Sequence, residues 1–129
     1  MPGVDRQIIG MRGVYLVAAE LSRLDFIVAP TSRGARGADL LITDRDCNHA
    51  FSIQVKTTRS GFFLFGKHMK KMKSKDYVYV LVHERKKARD FYVVKSPVAA
   101  RMATPTWNGG FQLKLAQLQK FKDKWASLN

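Results

Sequence analysis

The sequence predicts an α/β or α+β fold in which a central mixed β-sheet of four to five strands is flanked by helices. Three observations favour it: apolar residues at helical spacing near the N-terminus, short apolar runs separated by turn residues in the middle, and helical signals after them. The chain has 129 residues, of which 46% are hydrophobic, and no linker or repeat divides it. We therefore expect one domain, residues 1–129, with a substantial core.

The predicted elements follow in the order helix, strands, helix, helix. Apolar residues recur every three to four positions over residues 7–24 and predict the first helix. Ser96 followed by Pro97 is typical of a helix N-cap and predicts a short helix to about Met102. An apolar stripe over residues 113–125 predicts an amphipathic closing helix. The predicted strands are residues 26–29, 38–42, 51–56, 77–82 and 91–94.

The charge of the chain favours a polyanionic partner. The formal net charge is +13 and the isoelectric point is near 10.2. A small, strongly basic globular protein usually binds a polyanion, most commonly nucleic acid, and a merely solvated lysine-rich surface is the alternative. Charge alone separates neither DNA from RNA nor binding from cleavage.

Other features bear on where the protein works. No run of eighteen apolar residues exists, so we expect no membrane span. Residues 1–6 lack the basic-then-apolar order of a signal peptide, and the single cysteine, Cys47, excludes an internal disulfide. We expect a soluble protein of a reducing compartment, the cytoplasm.

Two predicted strands carry polar residues that can form one site. Asp39 lies in the first of them, and Gln54 and Lys56 lie in the next, after a polar turn. Because successive strand residues face opposite ways, Gln54 and Lys56 share a face that the folded hairpin can bring beside Asp39. Carboxylate and amide oxygens suit a hard divalent cation, while a lysine can face the negative charge that develops in phosphodiester hydrolysis. A partly buried ion pair between Asp39 and Lys56 is the alternative.

The order helix, strand, glycine-rich loop, strand with Asp and strand with Gln-x-Lys resembles the core of the PD-(D/E)xK nucleases. It is similar above all to their small bacterial and phage-type, homing-endonuclease-like and archaeal Holliday-junction resolvase members. The resemblance implies an α/β fold with a restriction-endonuclease-like core and a DNA endonuclease that depends on Mg²⁺ or Mn²⁺. The matching positions are Gly13 and residues 17–21, 26–28, 37–41 and 53–57.

The resemblance also implies roles for individual residues. Asp39 matches the metal-binding aspartate, and Lys56 matches the lysine that stabilises the attacking water or the pentacovalent phosphate. Gln54 stands where most members have Asp or Glu, and its amide oxygen can ligate Mg²⁺ without adding charge. The carbonyl of Val55 is a further implied ligand. Val14 occupies the position of a metal-site glutamate in many members.

Gln54 and Val14 leave the predicted site with one certain carboxylate, so alternatives to the endonuclease stay open. Glu20 is the nearest acid on the first helix, and we expect it at the polar edge of that helix instead of on a metal. The alternatives are a catalytically weak or inactive nucleic-acid-binding module of the same fold and an RNA-processing protein. A homodimer formed through the closing helix or a sheet edge is also implied, because a small endonuclease must reach both DNA strands.

The basic segment 61–75 predicts the nucleic-acid surface, as a loop followed by a helix. Its aromatic part, residues 62–65, can alternatively form a hairpin strand beside a solvated charged face. We expect Lys86 and Lys87 to be solvated turn charges. The candidate nucleic-acid contacts are Lys67, Lys70 and Lys71 in the basic segment, and Arg33 and Arg36 in the glycine-rich loop.

Overall fold

The computed structural model of the chain describes residues 2–32 and 37–129. Arg33 and Arg36 lie outside these residues. No helix in the described ranges is long and apolar enough to cross a membrane. The helices and strands are α1 (Pro2–Arg23), β1 (Ile27–Pro30), β2 (Leu40–Thr43), β3 (Ala50–Thr58), β4 (Phe62–Phe65), β5 (Tyr77–Arg85), β6 (Ala88–Lys95), α2 (Ser96–Met102), β7 (Thr104–Pro105) and β8 (Phe111–Lys114).

In the described part of the chain, the central sheet has five strands in the order β1-β2-β3-β5-β6. Strands β3 and β5 are parallel, whereas the other neighbouring pairs are antiparallel. Helix α1 packs on one face, and α2 packs on the other together with a smaller sheet in the order β4-β8-β7. The predicted mixed sheet of four to five strands flanked by helices is confirmed.

The hydrophobic core has two parts, one on each face of the central sheet. Val17 and Leu21 of α1 pack against Ile53 and Val80, and all four side chains are fully buried. On the opposite face, Leu81 packs with α2 and the smaller sheet. Strands β3 and β5 are therefore covered on both sides, which holds the middle of the sheet rigidly.

Helix α1 comes closest to the sheet at Gly13. A Cβ atom built on Gly13 would lie 1.9 Å from Oγ1 of Thr57 and 3.2 Å from its Cβ. The Thr57 hydroxyl is buried there, and among the described residues it has no hydrogen-bond partner. Only glycine allows this approach, so Gly13 fixes the distance between α1 and β3.

The predicted closing helix over residues 113–125 is wrong. The segment contains β8 and three short 3₁₀ helices, Leu115–Gln117, Gln119–Phe121 and Trp125–Leu128. Leu113 pairs with Phe63 across the smaller sheet. Further on, the Asp123 N–H donates to the Phe91 carbonyl at 2.9 Å, and Asp123 has a φ of 54°. The apolar stripe does face the core, but these long-range backbone bonds hold the chain in a non-helical path.

The basic segment also departs from the predicted loop and helix. Residues Phe62–Phe65 form β4, which pairs with the distant β8 and turns Phe63 and Phe65 into the core. After Gly66, only Lys67–Lys71 of this segment is helical, and it forms one 3₁₀ helix. The strand alternative was therefore correct for the aromatic part.

The short helix α2 begins at Ser96, one residue earlier than the predicted N-cap at Ser96 implies. Ser96 is not an N-cap, because it is already helical and its hydroxyl donates to the Ser74 carbonyl at 2.8 Å. This bond ties α2 to the segment before β5.

We expect Gly13→Ala to destabilise the fold by about 1–3 kcal/mol, because the added methyl group overpacks the contact with Thr57. Gly10→Ala is the matched control, since a Cβ on Gly10 of the same helix meets nothing within 4 Å. It should be neutral or stabilise by up to about 1 kcal/mol through helix propensity. Urea unfolding of both variants measures the difference, and equal effects would contradict the close contact.

Candidate active site

Asp39 lies at the point where β2 separates from β3. The antiparallel register ends at the pair Leu40 and Ile53, whereas β3 continues to Thr58. The Asp39 N–H still donates to the Ile53 carbonyl at 2.8 Å, and its carboxylate Oδ2 accepts a 2.8 Å hydrogen bond from the Val55 N–H. The Asp39 side chain thus replaces the main-chain acceptor that a longer β2 would have provided.

The carbonyl of Val55 lies on the same edge of β3 as the Asp39 carboxylate. In a strand, the N–H and C=O of one residue point to the same side, and the Val55 N–H points to Asp39. The structure therefore brings together two of the three predicted metal ligands. Both are oxygens, the ligand type that Mg²⁺ prefers.

Gln54 and Lys56 share the neighbouring face of β3, as strand alternation predicted. They line a cleft of about 420 Å³ together with Phe65, Tyr77 and Tyr79. The Lys56 ammonium lies 5.2 Å from the centre of the Phe65 ring, which favours its charged form by a cation–π contact. The cleft is open on one side, and the Gln54 amide and the Lys56 ammonium lie along its wall.

Tyr77 determines how the Gln54 amide is oriented. The Tyr77 hydroxyl lies 2.8 Å from Oε1 of Gln54 and also contacts the Gly37 carbonyl, which can only accept. Because the hydroxyl has one hydrogen, both contacts are satisfied when it donates to Gly37 and the Gln54 amide, turned by 180°, donates to Tyr77. This arrangement leaves the amide oxygen of Gln54 for another partner, such as a cation.

This role of Tyr77 was not predictable from local sequence patterns, because it depends on the parallel register of β3 and β5. Burial raises the pKa of Tyr77, with smaller contributions from Tyr79 and Asp39, so the hydroxyl remains a donor at neutral pH. Gly37 has a φ of 77°, and a Cβ there would lie 2.7 Å from the Tyr77 hydroxyl. Glycine is therefore required at this end of the loop.

Asp39 and Lys56, the two charged residues of the site, lie in surroundings that disfavour their charged forms. Burial raises the pKa of Asp39, and the Val55 N–H and the Lys56 charge only partly offset it. Burial likewise lowers the pKa of Lys56, against the effect of Asp39. Among the ion pairs within 4.0 Å in the described ranges, none joins Asp39 to Lys56. The bare ion pair considered as an alternative is therefore not formed, and both groups remain available to a ligand.

A second cleft, of about 390 Å³, lies on the other side of Asp39. Asp39 and Val55 line it together with Val14 and Tyr15 of α1. The helix position that the nuclease resemblance associates with a glutamate thus lines the same cleft as Asp39, but it carries an apolar side chain. Within residues 2–32 and 37–129, no three His, Cys, Asp or Glu side chains are grouped so that they could hold a metal ion.

Glu20 does not approach this site. Its carboxylate pairs with Arg23 on the surface of α1, with 2.5 Å between Oε1 and Nη2. The hydrogen bond from Arg23 lowers the pKa of Glu20. The expectation that Glu20 lies at the polar edge of the helix is confirmed.

The predicted nucleic-acid contacts have different surroundings. Lys67 and Lys71 are exposed on the 3₁₀ helix beside the cleft. Lys70 is exposed as well, and its ammonium donates to the carbonyls of Ala100 and, at 3.1 Å, Ala103. The unsatisfied carbonyls at the C-terminal end of α2 attract this cation, so Lys70 has a structural role.

No protein-family model matches the sequence, and no curated protein matches it significantly. A solved structure does match, that of Hjc, a Holliday junction resolvase from the archaeal hyperthermophile Archaeoglobus fulgidus. The TM-score is 0.65 over 92% of this chain and 94% of the other. The chain shares its fold with an archaeal Holliday-junction resolvase. The sequences are 11% identical, so the likeness to Hjc shows the fold, and it confirms the expected PD-(D/E)xK-like core at that level.

The raised pKa of Asp39 predicts how the stability of the metal-free protein depends on pH. A carboxyl whose pKa in the folded state lies above its ordinary 3.8 stabilises the fold below that value, and this contribution is lost as pH rises through the folded-state pKa. Asp39→Asn keeps an acceptor for the Val55 N–H but carries no charge. In EDTA, the melting temperature of Asp39→Asn minus that of the wild type should therefore increase as pH rises from 3.8 towards 7. If this difference increased only as pH falls, the result would contradict a raised pKa of Asp39.

Proposed function

We propose that this protein is a DNA endonuclease that hydrolyses phosphodiester bonds with the help of Mg²⁺ or Mn²⁺. The observation that carries the proposal is the placement of the Asp39 carboxylate on the edge of β3 that also bears the Val55 carbonyl. Gln54 and Lys56 lie on the adjoining face of the same strand. In this proposal a carboxylate, two neutral oxygens and an ammonium act together at the end of β2.

The metal ligands in this proposal are Asp39, the Val55 carbonyl and Gln54. A bound divalent cation supplies Lewis-acid activation of water and neutralises charge on the phosphate. With the Gln54 amide turned so that it donates to Tyr77, the amide oxygen would face the ligand instead of the protein. The oxygen set fits Mg²⁺ or Mn²⁺, although its single formal negative charge predicts weak affinity.

Lys56 is the residue that stabilises the negative charge of the reacting phosphate. Its ammonium is partly buried, and burial lowers its pKa, so it interacts more strongly with an anion than a solvated lysine does. It also lies in a cleft with few other charges, next to the Asp39 carboxylate. Positioning of this kind supports catalysis without proton transfer by Lys56 itself.

The proposed substrate is DNA, and branched DNA is the first class to test. The net charge of +13 supports a nucleic-acid partner, and the similar structure is that of a Holliday junction resolvase. Lys67 and Lys71 on the 3₁₀ helix, with Arg33 and Arg36 of the glycine-rich loop, are the proposed phosphate contacts. Cutting both strands of a duplex or junction with one such site per chain would require a homodimer.

A specific observation favours a second candidate, a nucleic-acid-binding module without catalysis. Val14 lines the same cleft as Asp39, at the helix position where the resemblance implies a further carboxylate, and Gln54 is uncharged. The second candidate shares the nucleic-acid partner of the first and differs only in the chemical step.

Cleavage of branched, supercoiled and single-stranded DNA with Mg²⁺ or Mn²⁺ separates the two candidates. We expect Asp39→Ala and Lys56→Ala each to lower the cleavage rate by about 100-fold or more, because each removes a group that acts on the developing charge. DNA binding in EDTA should be largely retained. Glu20→Ala, which removes a surface acid of α1, is the matched control and should cut like the wild type.

Two results would decide against the endonuclease. Equal cleavage by the wild type and Asp39→Ala would assign the activity to another site or a contaminant. Binding of branched DNA by a wild type that cuts with neither metal would establish the binding module.

A further inference from the structure

A strongly basic cleft of about 670 Å³ lies beyond the ends of β3 and β5, apart from the Asp39 site. Three segments that are distant in sequence contribute to it: α1, the residue after β3, and the turn between β5 and β6. Its basic side chains are Arg12, Arg59, Arg85, Lys86, Lys87 and Arg89.

One buried carboxylate organises this cleft. Glu84 is 7% exposed and accepts a hydrogen bond from Nε of Arg12 at 3.1 Å, a second from its Nη2, and one from Nη2 of Arg59 at 3.2 Å. The parallel register pairs Thr58 with His83, which places Arg59 beside Glu84 at the next step. These hydrogen bonds lower the pKa of Glu84, that of Arg12 most of all, so it is ionised at neutral pH.

The two guanidinium groups retain donors for a ligand. Each has five N–H donors, and Glu84 uses two of those of Arg12 and one of those of Arg59. Their side chains are 39% and 61% exposed at the cleft. A planar donor set held by a buried carboxylate suits the bidentate recognition of a phosphate.

The cleft has an excess of positive charge after its internal pairs are considered. Glu84 binds Arg12 and Arg59, and its single negative charge neutralises one of their two positive charges. Arg85 pairs with Asp90 at 2.7 Å. In the part of the chain that the structure describes, Lys86, Lys87 and Arg89 form no ion pair within 4.0 Å. Such an excess in a concave site attracts a polyanion.

The distance from the Asp39 site fits one continuous polynucleotide. Arg59 follows Lys56 by three residues, which is about 10 Å along an extended chain. The Lys56 side chain lies on the face of the smaller sheet and that of Arg59 lies beside Arg12 of α1, so one polynucleotide would pass around the end of β3 to contact both. The close contact between Gly13 and Thr57 holds the neighbouring Arg12 near the end of β3 that leads to Arg59.

We propose that this basic cleft binds a backbone phosphate of the nucleic acid, at a different nucleotide from the phosphate at Lys56. The proposal rests on the proposed nucleic-acid substrate, but not on cleavage. Arg12 and Arg59 would contact the phosphate directly, whereas Glu84 is a positioning residue. Lys86 and Lys87 would then be backbone contacts instead of the solvated turn charges that the sequence suggested.

The test is equilibrium binding of a fluorescent 20-base-pair DNA duplex in EDTA, over a range of salt concentrations. We expect Arg59→Ala/Lys87→Ala to weaken binding by about tenfold or more at 0.1 M salt and to reduce the salt slope by about one to two. Arg45→Ala/Lys120→Ala removes the same charge from exposed side chains outside the cleft and outside the basic segment, and is the matched control. Equal losses of affinity in the two double variants would overturn the proposal, as would wild-type affinity in Arg59→Ala/Lys87→Ala.

Glu84→Gln separates positioning from net charge. The substitution makes the protein more positive, so electrostatics alone predicts tighter DNA binding, whereas a positioning role predicts weaker binding. Circular dichroism establishes that each variant is folded before its affinity is compared. Tighter binding by folded Glu84→Gln would refute the positioning role.

Cleavage is measured separately, so that the two proposals fail independently. With Mg²⁺ and saturating DNA, Arg59→Ala/Lys87→Ala should keep the single-turnover rate of the wild type, because the Asp39 site is intact. A wild type that binds but never cuts would end the nuclease proposal and leave the phosphate contact supported by the binding result. A loss of rate at saturation without a loss of affinity would overturn the assignment of the cleft to binding.

Discussion

The hydrogen bond from the Val55 N–H to the Asp39 carboxylate is the constraint on which the site depends. Strand β3 continues past the end of β2, and a main-chain donor without a partner in a partly buried edge would be costly. Asp39 meets that need with its side chain, which fixes a carboxylate beside the Val55 carbonyl and near Lys56. Burial raises the pKa of this carboxyl. The hydrogen bond therefore holds a negative charge at a position where the protein without a ligand stabilises that charge poorly.

Strand β3 connects the features of the molecule that bear on function. Its edge bears the Asp39 and Val55 oxygens, and one face bears Gln54 and Lys56. Its end leads to the basic cleft at Arg59. Hydrophobic side chains cover the strand on both faces, and Gly13 sets the approach of α1, so these groups are held in fixed relative positions. A rigid strand of this kind can align a polynucleotide along two clefts.

Local patterns in the sequence were sufficient for the first helix and for the common face of Gln54 and Lys56, since both follow from the periodicity of one element. Contacts between distant segments were not predictable in this way. Tyr77 meets Gln54 through a parallel register, and Arg12 meets Glu84 across 72 positions of sequence. The stripe from Leu115 to Trp125 has helical spacing, but successive 3₁₀ helices bury Leu118 and Trp125 and partly bury Leu115 and Phe121.

We propose that Asp39 and Gln54 belong to one metal site that has too few carboxylates for tight binding. Calorimetric titration of Mn²⁺ into the wild type, Asp39→Ala and Gln54→Glu tests it most directly. We expect weak binding by the wild type, none by Asp39→Ala, and affinity at least about tenfold higher in Gln54→Glu, because a second negative charge joins the same ligand set. Identical isotherms for the three proteins would contradict a metal site at the edge of β3.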